Sequence, residues 1–110
     1  MKPKKAELPI PAAARRDKKS REMIRAWIAE NDLWCSINVG SWEGVDDIEE
    51  PHAWGILLAD VAHHVANALH EWKGAERPKV LKAIRKAFLA EVGNPTSTQN
   101  GKFVQPKRSE

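Results

Sequence analysis

Two stretches of this chain are bracketed by residues that start and stop helices, and they constrain the fold more than any other feature. The run "PHAWGILLADVAHHVANALHEWKG" opens on Pro51 and closes on Gly74. A proline in the first helical turn gives up no donor that the helix needs, and a glycine just past the end can take the left-handed conformation that closes a helix. Acids just before Pro51 suit the positive end of the helix dipole. The punctuation predicts one helix from about Pro51 to Lys73, with Gly74 as its stop. It predicts a second from about Pro78 through "KVLKAIRKAFLAEV", stopping at Gly93-Asn94-Pro95.

Ahead of the helices, "MIRAWIAENDLWCSINVG" (residues 23–40) reads as a β-hairpin. Two runs rich in Ile, Trp and Val flank Asn31-Asp32, which tolerate the positive φ of a tight turn. With those two at the tip, Ile28 faces Cys35, Ala26 faces Ile37 and Ile24 faces Val39, so six apolar residues share one side. Arg25, Trp27, Ala29, Trp34, Ser36 and Asn38 share the other, and a one-residue slip would scramble both sets. Residues 41–50 form an acidic connector containing Trp42.

The ends differ from the middle. Residues 1–22 carry a net charge of +5 and residues 94–110 one of +2, against −4 between them, so the overall +3 resides in the tails. Pro3, Pro9 and Pro11 keep the first half of that segment from forming a regular helix and "ELPIP" favours extension. Leu8 and Ile10 could dock it on a groove. The reading is therefore a basic, largely extended or disordered segment (1–22), a single ββαα domain (23–93) and a polar flexible tail (94–110) whose anchors are Phe103 and Val104. The basic ends could meet nucleic acid, although a solvated tail is the plainer account of them. The single cysteine, Cys35, rules out an internal disulfide and fits a reducing compartment. With no apolar run of membrane-spanning length and no secretory signal, the expected location is the cytoplasm and no membrane is involved.

The first helix holds three of the four histidines. At about 100° per residue, Trp54, Leu58, Val61, Val65, Leu69 and Trp72 form one apolar stripe, the expected core face. His63 and His70 lie opposite, with Ile56, Ala59, Ala66 and Asn67. His63 and His64 diverge by about 100°, and His63 and His70 are roughly 10 Å apart along the axis, so neither pair is a ready metal set. Asp60 and His64 have the i, i+4 spacing that shares a contact or two metal ligands, whereas catalytic zinc wants three and an open position. A metal-dependent or hydrolytic site at Asp60/His64 is thus an alternative, with a surface ion pair as the plainer account. No catalytic set and no cofactor is indicated. The far face is small and apolar where a free surface would carry Lys and Glu, which suits a close contact with a second copy through Ala59, His63, Ala66 and His70.

Trp27 and Trp34 beside Arg25 could stack on a planar ligand or anchor an interface, because Trp and Arg dominate interface hot spots. In the second helix Val80, Leu81, Ile84, Phe88 and Val92 make the buried face and Lys79, Lys82 and Lys86 a solvated one. A two-stranded ribbon is not stable alone, and two hairpins pairing edge to edge would complete a sheet.

The stretches "ELPIP", "IRAWIA" and "AWGILLADVAHHVANAL" together resemble a family of small bacterial proteins that carry a domain of unknown function. The resemblance spans about Glu7 to Val92. It implies a compact α+β domain, bacterial and cytoplasmic, and transfers no active-site residues. The fold expected is α+β, a β-hairpin followed by two α-helices that completes a larger sheet or helical interface by dimerisation. The function expected is a non-enzymatic, self-associating interaction module, a homo-oligomer with a dimer favoured. On that reading, Trp27→Glu breaks the oligomer if the ribbon face is the interface. A nucleic-acid accessory role for the basic termini is the runner-up.

Overall fold

The computed structural model describes residues 6–43 and 47–105. Expectations about Pro3 and about the outermost tail residues lie outside them. The fold is α+β. In chain order it comprises α1 (Ala12–Arg16), β1 (Ile24–Ala29), β2 (Asp32–Asn38), α2 (Glu50–Lys73), α3 (Arg77–Gly93) and β3 (Asn100–Val104).

β1 and β2 form the expected antiparallel hairpin, but its tip is Glu30-Asn31, not Asn31-Asp32. Glu30 and Asn31 hold φ of 52° and 63°, the two positive values that match the twist of a two-residue hairpin turn. Ile24 therefore pairs with Ile37, Ala26 with Cys35 and Ile28 with Leu33. Moving the tip by one residue shifts every cross-strand partner by two positions, so each side chain keeps its expected face. The shift sets Leu33 opposite Ile28 and Trp27 opposite Trp34, whose indole Nε1 donates to the Ala29 carbonyl at 3.0 Å.

The third strand comes from the tail expected to be flexible. β3 lies parallel to β2, with Ile37 beside Phe103 and Cys35 beside Gly101, in a sheet ordered β1-β2-β3. The Val39 amide donates to the Val104 carbonyl at 2.9 Å. Within this chain, then, the ribbon gains its third strand from residues 100–104 and not from a second hairpin. In the first segment, residues 12–16 form one short helix directly after the prolines.

The helices match their punctuation to within a residue. Gly74 takes φ 73°, its amide donating to the His70 carbonyl and that of Ala75 to Leu69. A three-residue turn leads into α3. Ala66 is 1% exposed, and α3 is the element packed against α2. The residues of α3 that are half-buried, Val80, Leu81 and Ile84, lie towards the turn, whereas Phe88, Leu89 and Val92 are exposed. At the far end, Glu91 accepts both the amide and the hydroxyl of Thr96 and directs the chain towards β3.

Two parallel strands joined through helices ordinarily carry those helices on a face of the sheet. Here contacts run between the strands and between the two helices, and among the described residues neither helix packs on a strand. The radius of gyration is 16.5 Å, against about 13 Å for a globular chain of this length. The accessible surface is 10360 Å², where a compact monomer of this mass exposes about 6100 Å². Among the described residues, Ala53 and Ala66 are the buried hydrophobic ones.

Candidate self-association surface

A carboxylate fixes the joint between sheet and helices. Glu50, in the first turn of α2, accepts the Gly40 amide at 2.9 Å, the Trp42 amide at 3.1 Å and the Trp54 indole N–H at 2.9 Å. Desolvation pushes its carboxyl up, but the three donors together outweigh that and hold it below its ordinary range. The rings of Trp42 and Trp54 meet edge to face at 5.7 Å, and Ala53 is 6% exposed beside them. The loop that leaves β2 and the start of α2 are thus held together by hydrogen bonds and aromatic packing.

The sheet has two unlike faces. Ile24, Ala26, Ile28, Leu33, Cys35, Ile37 and Phe103 share one, and all are apolar. Ile28 is 78% exposed, Phe103 63% and Leu33 47%. The opposite face carries Arg25, Trp27, Trp34, Ser36 and Lys102, with a shallow hollow lined by the two tryptophans, Ser36 and Lys102.

The expected core stripe of α2 is largely uncovered as well. Trp54 and Leu69 are half-buried, whereas Leu58, Val61, Val65 and Trp72 are exposed. The Lys73 ammonium lies 5.5 Å from the centre of the Trp72 ring. This corrects the sequence reading. Most of the stripe is not packed within the chain; the contact with α3 is deepest at Ala66, where a small side chain lets α3 approach closely.

The site residues chosen from sequence separate accordingly. Ala66 is covered and cannot meet a second copy. Asn67, on the same face, accepts the Arg77 Nε–H of α3 at 2.9 Å, and His70 Nδ1 lies 3.0 Å from the Ala75 carbonyl in the turn. Ala59 and His63 are exposed. Asp60 and His64 stand 4.0 Å apart with both side chains largely in solvent, and among the described residues no third His, Cys, Asp or Glu joins them to make a metal set. Arg25 is engaged rather than poised beside the tryptophans. Its guanidinium meets Glu22 at 3.1 Å and Glu7 at 3.0 Å, which raises its pKa, chiefly through Glu22, and latches the extended segment Ala6–Pro11 to β1. Leu8 and Ile10 remain exposed.

Three residues that shape the surface were missed in the sequence. Glu50 was read only as a helix-dipole acid; tryptophans on both sides of it, at 42 and 54, were the available signal. The expected turn would set Leu33 opposite Glu30, whereas it pairs with Ile28. Gly101 lies in the segment expected to be a polar flexible tail, yet its φ of 134° and its close approach to the Cys35 backbone are what admit β3 to the sheet.

A family model described as a domain of unknown function (DUF5076) matches residues 7–96. A solved structure from the photosynthetic bacterium Rhodopseudomonas palustrus, provisionally described as a pyruvate dehydrogenase, is similar over 100% of both chains. Its TM-score is 0.63 at 24% identity, which is a likeness of fold. No curated protein matches the chain. Among the described residues no helix is long and apolar enough to cross a membrane.

Proposed function

The chain belongs to the DUF5076 family of domains of unknown function, and we propose that it acts as a non-enzymatic module that self-associates, in the simplest case as a dimer. One observation carries this reading. The apolar sheet face and the apolar stripe of α2 both face water in a single copy, although each is the kind of surface a folded protein covers. A contiguous apolar face of that kind marks an assembly surface more directly than any cluster of reactive side chains in the chain. The single cysteine and the likeness to a bacterial protein support a bacterial, cytoplasmic setting.

Light scattering on the full chain across a concentration series tests the reading. The expected mass is twice the 12.4 kDa of one chain. A cooperatively folded species that keeps the mass of one chain at every concentration would overturn it.

A further inference from the structure

We infer that the second copy completes the fold by exchange, the helix pair of each protomer lying across the apolar sheet face of the other. The inference rests on the self-association proposed above and specifies which surfaces meet. Both surfaces belong to the same chain and neither covers the other. A strand–helix–helix–strand crossover ordinarily closes its helices onto its own sheet. When the joint points them away, the same contacts form between two copies, which is the logic of domain swapping.

The joint is what points them away. Glu50 ties the first turn of α2 to the Gly40 and Trp42 amides, and Trp42 packs on Trp54. Folding α2 back onto its own sheet would have to undo that clamp. The two surfaces also match in length. Leu58 to Trp72 spans about 21 Å of helix, and a seven-residue strand such as β2 spans about 23 Å. The excess surface over a compact monomer exceeds the ~800 Å² that each partner contributes to a stable interface. The face receiving the helices, with Ile28, Leu33, Ile37 and Phe103, offers no charged side chain to desolvate.

Cys35, the chain's single cysteine, lies on that sheet face and serves as the probe. Full-length chains carrying Leu58→Cys, Val61→Cys or Val65→Cys, each with Cys35→Ser, are refolded together with the wild-type chain and oxidised. Exchange predicts a mixed disulfide between a variant chain and a wild-type chain at one or more of the three positions. It also predicts covalent dimers, not internally closed monomers, when the same variants retain Cys35. Ile56→Cys, on the opposite side of α2, should give no such link. Mass is measured on the same samples. A dimer that yields only internally closed monomers, or no link at any of the three positions, overturns exchange while self-association stands. A monomer overturns both.

Discussion

At Gly101 a missing side chain decides whether a strand forms. A Cβ there would run into the Cys35 carbonyl oxygen, and φ is 134°, so both space and backbone disfavour any other residue. Gly101→Ala should cost at least ~2 kcal/mol and remove the exchange protection of the Val39 amide, which donates to β3. Urea unfolding with amide exchange checks it, and an unchanged midpoint with Val39 still protected would rule out this pairing. Glu50 is the other decisive single residue. Its carboxyl sits below its ordinary value of 4.5 because three donors prefer the charged form. A depressed folded pKa contributes stability that is complete above the unfolded value and is lost as pH falls through the folded one. The thermal midpoint of the wild type should therefore drop as pH is lowered below about 4.5. Glu50→Gln should lack that component and show a weaker near-ultraviolet signal from the Trp42–Trp54 pair at neutral pH.

At the scale of elements, the helix boundaries were legible in the sequence because Pro51, Gly74, Pro78 and Gly93 each act on the backbone locally. The faces of the hairpin were legible for a similar reason, since alternation survives a two-position change of partner even though the tip was misplaced. Which side of α2 would be covered was not legible. Periodicity finds an apolar stripe, but it does not say whether a small-residue side will be taken first by a neighbouring helix. The contrast between two alanines tests that assignment. Ala66→Leu should overpack the contact with α3 and cost about 1–3 kcal/mol, whereas Ala59→Leu, on exposed backbone, should change stability by less than about 0.5 kcal/mol. Thermal or urea unfolding of both variants reads the difference, and equal costs would remove Ala66 from the contact. β3 escaped the sequence reading because "NGKFV" is short and polar at its start, and its pairing partner lies more than sixty residues away.

At the scale of the whole molecule, the self-association proposed above is better served by the apolar sheet face than by the tryptophan ribbon. Trp27 is half-buried across from Trp34, and Arg25 is spent on Glu22 and Glu7, while Ile28 stands 78% exposed on the wholly apolar side. Ile28→Glu should shift the solution mass towards one chain or lower the thermal midpoint sharply, because it sets an unpaired charge where an apolar surface is to be covered. Trp27→Glu should leave the mass unchanged. The reverse ranking would return the interface to the ribbon. For the wild type the thermal midpoint should rise with protein concentration, as mass action requires of an assembly whose stability includes association.

Sequence alone determined the hairpin, its two-sided character and the two long helices of this protein, because capping residues, turn residues and alternation act within a few positions of one another. It also located the apolar stripe of α2. Tertiary structure alone decided how the elements are placed and which surfaces stay uncovered within one chain. The Glu50 clamp sets the direction in which α2 leaves the sheet, α3 packs closest at Ala66, and a glycine without a Cβ lets a distant segment become the third strand. Each of these depends on groups brought together from separate parts of the chain, where local pattern carries no information about distance.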